Sequence, residues 1–256
     1  MSTLWTFGDS FTAEYFPVDD PTQPSNYDKY KSFRGGNLPD TWPTLLSKKL
    51  GMRLQNMGVG GDSNYGIFYQ FIRVCEKFES GDIVIVGWAN LTRFIAANID
   101  EGHFNQILAC ENDFIGTHLS RRTIDEMLIN RSDKLWSKEV HGWIKFINLY
   151  LEIKGVKVYH WTSDIKVFNI TTDIIDDKRF IVSRHPSFKD HTIMAYLALP
   201  FHYEECKLIA TIERETNETV IDYHFGEYGH KCQSEYFYNH IMELITDNTH
   251  TEFILK

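Results

Sequence analysis

The feature that most constrains the fold is a run of four consecutive β-branched residues, Ile83-Val84-Ile85-Val86. A strand with one solvent-exposed face alternates apolar and polar residues, whereas an unbroken apolar run is typical of a strand that is buried on both faces. Strands of that kind occur in parallel sheets that carry helices on both sides. We therefore predict an α/β protein.

The remaining segments fit this class. Further strands are predicted over Leu4–Phe7, Arg53–Met57 and Val156–Trp161, from short apolar runs. Helices are predicted between and after them from apolar residues at helical spacing, over 40–50, 64–78, 135–154 and from about 230 to 245. This alternation predicts a parallel sheet with helices on both faces. We interpret region 92–132 as mixed helix and loop, and region 165–220 as irregular.

Composition excludes several classes of function. The net charge is −9 and there is no basic run, so a nucleic-acid-binding protein is not expected. No apolar stretch approaches the roughly 20 residues of a membrane span, and no signal peptide is visible, so we expect a cytoplasmic protein. The four cysteines form no Cys-x-x-Cys pair, which favours reduced thiols over disulfides. Without zinc-type Cys or His spacing, we expect no metal and no cofactor.

Small polar residues follow each predicted strand. They are Gly8-Asp9-Ser10, Asn56-Met57-Gly58, Gly87-Trp88-Ala89-Asn90 and Thr162-Ser163-Asp164. Parallel strands bring all these ends to one edge of the sheet, and ligands of open α/β folds bind at that edge. We predict the functional site there.

Four short blocks, in this order, resemble those of the SGNH (GDSL-type) hydrolases: Gly8-Asp9-Ser10, Asn56-Met57-Gly58-Val59-Gly60-Gly61, Gly87-Trp88-Ala89-Asn90 and Asp222-Tyr223-His224. The resemblance spans residues 4 to about 240. It implies a three-layer α/β/α fold with a flavodoxin-like parallel sheet. It also implies serine-dependent hydrolysis of esters, thioesters or amides. The chain would form one such domain over 1–256, with insertions around 17–40 and 92–132.

The resemblance also implies roles for individual residues. Ser10 would be the nucleophile, His224 its general base, and Asp222 the group that orients the imidazole. The oxyanion hole would consist of the backbone N–H groups of Ser10 and Gly61 and the side-chain amide of Asn90. A glycine at 61 suits a backbone donor that the substrate must approach closely.

Two blocks depart from the family pattern. The third block of the family reads Gly-x-Asn-Asp, whereas here Asn90 lies three residues after Gly87 and is followed by Leu91. The last block of the family reads Asp-x-x-His, whereas Asp222 lies only two residues before His224. Both departures bear on the roles of single residues more than on the resemblance as a whole.

Alternatives stay open for several residues. His230 and His185 are rivals of His224 as the base, although His230, in the family, usually opens the last helix in a structural role. Asp62 and Ser63 either contact substrate or cap the helix that follows them. Trp88, next to the end of its strand, is a further candidate for substrate contact.

The function that these residues favour is metal-independent hydrolysis of short-chain acyl esters. Polar loops and many aromatic residues suit an O-acetyl group on a carbohydrate, so the expected partner is a small-molecule or carbohydrate ester. A lysophospholipase or thioesterase is an alternative within the same chemistry. The competing class is a carbohydrate-binding module that has lost catalysis. A nucleotide-binding flavodoxin-like protein is the third alternative. It requires a phosphate-cradling loop, and the sequence contains no convincing one.

Overall fold

The structure is a computed structural model, and it describes residues 1–14, 36–89, 93–98, 103–108, 133–162, 177–181 and 227–254. The strands in these ranges are β1 (Thr3–Phe7), β2 (Arg53–Asn56), β3 (Ile83–Trp88), β4 (Arg93–Asn98), β5 (His103–Leu108) and β6 (Lys157–Thr162). The α-helices are α1 (Trp42–Leu50), α2 (Asn64–Val74), α3 (Asp133–Ile153) and α4 (Glu227–Ile254).

Four of the strands form one parallel sheet in the order β2-β1-β3-β6. The central strand β1 pairs with both β2 and β3, with Leu4 opposite Leu54 on one side and opposite Ile83 on the other. Strand β6 pairs with β3 in parallel, with Val84 opposite Val158. The predicted α/β class and the parallel sheet are confirmed, and the strand order begins in the flavodoxin-like manner.

Side chains alternate between the two faces of the sheet, and each face carries its own core. The core under α2 and α3 includes Trp5, Phe7, Ile67, Phe71, Val84, Val86, Ile144 and Leu151. The core under α1 and α4 includes Leu4, Trp42, Leu46, Ile83, Ile85, Trp161, Phe237 and Ile241. Both faces of β3 are therefore buried, which explains why its sequence has no polar alternation. In the described part of the chain the helices and the sheet form three layers, as predicted.

The helices begin and end close to the predicted residues. Helix α1 has Pro43 in its first turn and ends at Gly51, which adopts the left-handed conformation with φ of +64°. Helix α2 ends at Val74 and continues as a short 3-10 turn over Cys75–Lys77. Helix α4 extends beyond the predicted Ile245 to Ile254.

The interpretation of region 92–132 as helix and loop is wrong for its first part. Strands β4 and β5 form a two-stranded antiparallel ribbon, with Arg93 opposite Leu108 and Asn98 opposite His103. The signal for it is present in the sequence between the strands, where Asp100-Glu101-Gly102 has the composition of a hairpin loop. The rest of that region, 109–132, lies outside the described residues.

A short piece of the region interpreted as irregular extends the sheet. Phe180 forms a parallel bridge to His160 in β6, through hydrogen bonds from His160 N to Arg179 O and from Ile181 N to His160 O, both 2.8 Å. The other parts of 165–220, and most of the predicted insertion at 17–40, lie outside the described residues.

The amino-terminal ends of β1 and β3 are joined by Asp82. Its buried carboxylate accepts hydrogen bonds from the Thr3 N–H at 2.7 Å and from the Trp5 indole N–H at 3.0 Å. It also accepts one from the Glu79 N–H at 3.1 Å. The three hydrogen bonds offset the free-energy cost of removing the carboxylate from water.

No helix within the described ranges is both long enough and apolar enough to cross a membrane. Cys75 and Cys232 are free thiols, in agreement with the prediction for those two residues. Cys110 and Cys206 lie outside the described ranges.

Candidate active site

Ser10 lies at the carboxyl end of β1, in a single helical turn that begins directly after the strand. The Asp9 carbonyl accepts the N–H groups of Thr12 and Ala13, both at 2.9 Å. The Asp9 carboxylate accepts the Phe11 N–H at 3.1 Å, so the Asp9 side chain stabilises the turn that holds Ser10. Ser10 is partly exposed at the start of this turn. Its hydroxyl is therefore presented at the sheet edge by a strand-to-turn transition.

Two glycines let this turn pack tightly. A Cβ on Gly8 would lie 2.2 Å from the Thr12 hydroxyl oxygen, and a Cβ on Gly58 would lie 2.6 Å from the Ala13 nitrogen. Neither distance is compatible with a side chain. The Ser10 turn is thus in direct contact with the loop that follows β2.

The side chain of Asn56 joins the same two loops. Its carbonyl oxygen accepts the Thr6 hydroxyl and the Gly58 N–H, both at 2.9 Å. Its amide nitrogen donates to the Thr12 carbonyl at 2.8 Å and to the Glu14 carboxylate at 3.2 Å. Asn56 therefore braces the loop after β2 against the Ser10 turn.

Gly61 lies on the loop after β2, in a turn that requires its glycine. The Asp62 N–H donates to the Val59 carbonyl at 3.1 Å, and Gly61, the third residue of this turn, has φ of +77°. These are the features of a type II turn. The Val59 N–H donates in turn to the Gly8 carbonyl at 3.0 Å, so the Gly61 turn is bonded to the Ser10 turn.

Asp62 and Ser63 begin α2. The Ser63 hydroxyl accepts the Gly66 N–H at 3.2 Å, and the Asp62 carboxylate accepts the Ser63 N–H at 2.8 Å. Both residues are buried, with 2% and 1% exposed. The carboxylate of Asp62 lies over Gly66, where a Cβ would be 1.7 Å from it. These contacts are those of the helix-capping alternative; contact of either side chain with substrate stays a prediction.

Trp88 is buried at the end of β3, and its indole N–H donates to Nδ1 of His160 at 3.2 Å. The Trp88 carbonyl accepts the Thr162 hydroxyl at 2.9 Å. Both bonds tie β3 to β6. The side chain packs in the core under α2 and α3, and its contact with substrate stays a prediction.

His160 is a buried histidine whose tautomer is determined by its partners. An indole N–H can only donate, so Nδ1 is the acceptor and Nε2 carries the proton. Nε2 then donates to the side-chain oxygen of Asn148 at 2.8 Å. Burial and, to a lesser extent, the nearby Arg179 guanidinium lower the pKa of His160 from 6.5 to about 3, whereas Asp177 opposes the shift. The ring is neutral and structural.

Three predicted site residues, Asn90, Asp222 and His224, lie outside the described residues, as does the rival base His185. His230 is described and lies near the start of α4. Its Nδ1 accepts the Trp42 N–H at 3.2 Å, and only 4% of the residue is exposed. This contact at the first turn of α1 agrees with a structural role.

Asn64 is a buried residue of this region that the sequence did not indicate. It is 4% exposed, and its carboxamide makes two hydrogen bonds to Ala89, the residue before Asn90. An asparagine at the first position of a helix is ordinary in sequence, so only its burial distinguishes it.

The strand order adds a general reason to place a site at Ser10. The chain leaves β1 toward β2 on one side of it and then crosses to β3 on the other side. The crevice at the carboxyl ends of β1 and β3 is therefore the topological switch point of the sheet, where open α/β proteins bind ligands. Ser10 follows β1 at this point, and Asn90 comes two residues after the end of β3.

Metal ligation has no support among the described residues. No group of three or more His, Cys, Asp or Glu side chains in those ranges is arranged to hold a metal ion.

No protein-family model and no curated protein sequence match the chain. Among solved structures, it is similar to a lipolytic protein of the G-D-S-L family from Desulfitobacterium hafniense DCB-2, with 13% identity and a TM-score of 0.45 over 94% of this chain and 99% of the other. It is also similar to a lipase/acylhydrolase from Enterococcus faecalis, with 14% identity and a TM-score of 0.43 over 94% and 95% of the two chains. A Bacillus subtilis protein has 13% identity and a TM-score of 0.39 over 96% of this chain and 57% of its own.

Proposed function

We propose that the chain is a serine esterase of the SGNH type that hydrolyses short-chain acyl esters through an acyl-enzyme on Ser10. The observation that carries this proposal is the position of Ser10 on a tight turn at the switch point of the sheet. A second observation supports it. Among the described residues, none accepts a hydrogen bond from the backbone N–H of Ser10 or Gly61. Donors of this kind on two bonded loops are suited to an oxyanion.

In the proposed reaction, the Ser10 hydroxyl oxygen attacks the ester carbonyl while His224 accepts its proton. The negative charge on the carbonyl oxygen is stabilised by the N–H groups of Ser10 and Gly61 and by the Asn90 amide. The C–O bond of the ester then breaks, and His224 returns the proton to the leaving alcohol. A water molecule, deprotonated by His224, then attacks the acyl carbon; the bond from this carbon to the Ser10 oxygen breaks, and His224 returns the proton to Ser10. Asp222 holds the imidazole in position and stabilises its charged form.

The substrate class is the less constrained part of the proposal. We propose a short acyl group, with O-acetyl groups on carbohydrate as natural substrates. The polar composition of the 17–40 segment, which follows Ser10 in sequence, supports a polar alcohol part. We further propose that residues 1–256 act as one domain and that the reaction needs no metal.

The test is hydrolysis of p-nitrophenyl acetate and of longer p-nitrophenyl esters by the wild-type protein and by Ser10→Ala and His224→Ala. We expect a preference for the acetate and a loss of roughly 10⁴-fold or more in each variant, because triad members act as a unit. Ser47→Ala is the matched control for the serine, since the buried Ser47 hydroxyl only donates to the Thr44 carbonyl within α1. His230→Ala is the control for the histidine. Addition of EDTA should leave the rate unchanged.

The binding-module alternative predicts a different outcome. Under it, the wild-type protein is inert toward every ester, or Ser10→Ala hydrolyses as fast as the wild type. If His230→Ala abolishes hydrolysis and His224→Ala does not, the base is His230 and the role given to the last block is wrong.

A further inference from the structure

The carboxyl end of β3 is held by a side chain from α2. The carbonyl oxygen of the Asn64 side chain accepts the Ala89 N–H at 2.7 Å, and its amide nitrogen donates to the Ala89 carbonyl at 2.9 Å. Asn64 and Ala89 are both buried. A carboxamide that bonds both polar groups of one residue imitates a neighbouring strand, so it fixes the rotation of that residue as well as its position.

The same strand end is held from its other side. The Thr162 hydroxyl in β6 donates to the Trp88 carbonyl at 2.9 Å, and the Trp88 indole donates to His160. Backbone groups of two consecutive residues are thus anchored by two different elements. The Ala89 carbonyl belongs to the planar peptide unit that continues into Asn90, so an anchor on this carbonyl constrains where the next residue starts.

We propose that Asn64 is a positioning residue of the oxyanion hole, because it fixes the Ala89 peptide from which the chain continues to the proposed donor Asn90. This inference rests on the proposed function. In this role Asn64 acts through Ala89, to which both polar atoms of its side chain are bonded, and not by contact with the substrate. An oxyanion donor works because it is already in place when charge develops, and a displacement of about 1 Å can cost on the order of 10²-fold in rate.

The alternative is that Asn64 only stabilises the start of α2. The two roles are separated by a double-mutant cycle between Asn64→Asp and Asn90→Ala, with p-nitrophenyl acetate as the substrate. Aspartate has almost the same shape and can still accept the Ala89 N–H, but it places an oxygen against the Ala89 carbonyl where the amide donated. Thermal midpoints are measured beside kcat and KM.

Asp82→Asn is the matched control. Asp82 is also a buried polar side chain, and it joins the opposite ends of β1 and β3 through three N–H donors. Asp82→Asn replaces one carboxylate oxygen by an amide nitrogen, which is the reverse of the exchange in Asn64→Asp. It should lower the thermal midpoint and leave kcat and KM unchanged.

We expect Asn64→Asp to lower kcat by about 10²-fold with little change in KM. In the Asn90→Ala background, where kcat is already lower by roughly 10²–10³, it should lower kcat by no more than about threefold. Equal factors in the two backgrounds, or an unchanged kcat, would overturn the inference while leaving a Ser10-dependent esterase intact. An inert wild-type protein would overturn both proposals. If Asn64→Asp does not fold, the cycle is run with Asn64→Ser, which retains only one of the two bonds.

Discussion

The buried histidine of β6 gives a prediction about pH that follows from its hydrogen bonds. His160 is fully buried and neutral, with its pKa lowered from 6.5 to about 3. In the unfolded chain the imidazole returns to its ordinary pKa. Between pH 6.5 and 3 the unfolded state therefore binds a proton that the folded state does not bind. The free energy of unfolding must fall as the pH falls through this range.

The size of the effect follows from the difference in pKa. Each unit of pH below the unfolded value removes about 1.4 kcal/mol, so the loss between pH 8 and pH 5 is about 2 kcal/mol. Burial raises the pKa of Asp177, but its hydrogen bonds to Arg179 outweigh burial and lower the pKa overall. The stability that this carboxylate contributes is lost as the pH falls below the ordinary value of 3.8. A comparison that stops at pH 5 therefore reports mainly on histidine.

The variant that isolates this residue is His160→Gln. Glutamine does not titrate, and its amide can accept the Trp88 indole N–H and donate to Asn148. Urea unfolding of both proteins, followed by far-ultraviolet circular dichroism at pH 8 and pH 5, gives the free energy of unfolding at each pH. The other histidines are common to both, so the loss on acidification should be about 2 kcal/mol smaller in the variant. Equal losses in the two proteins would refute the reasoning.

Two further predictions concern close packing and a buried carboxylate. Gly58→Ala should lower the free energy of unfolding by about 1–3 kcal/mol and also lower esterase activity, because the added Cβ would lie 2.6 Å from the Ala13 nitrogen. Gly60→Ala is the control, since a Cβ there has no atom within 4 Å. It should change neither stability nor activity. Asp82→Ala should cost about 2–5 kcal/mol in urea unfolding, since it removes the acceptor of three N–H groups. A smaller cost would mean that water replaces the carboxylate.

The core of the fold could be predicted because its signal is local. The run from Ile83 to Val86 needs no distant partner to show that both faces of β3 are covered. The ribbon of β4 and β5 was missed although its signal is also local, because the weak strand propensity of Ala96, Ala97 and Asn98 outweighed the hairpin composition of the residues between the strands.

The site likewise has a part that could be predicted from local sequence and a part that could not. The Ser10 turn could be located from Gly-Asp-Ser after an apolar run, and the hydrogen bonds that form the turn join residues two to four positions apart. The roles of Asn64 and His160 could not be found, because each depends on a partner far along the chain. Asn64 bonds a residue 25 positions away, and His160 accepts from one 72 positions away. Sequence pattern carries no information about such pairs.

The central place of β1 has a consequence for synthesis of the protein. This strand is made before its two neighbours in the sheet, which come about 50 and 80 residues later. At about 5–20 residues per second, the ribosome needs roughly 4–15 s to deliver both neighbours. During that interval Trp5 and Phe7 have no sheet to enter. The nascent β1 segment therefore spends seconds as an unpaired apolar segment, which is the kind of segment that chaperones bind.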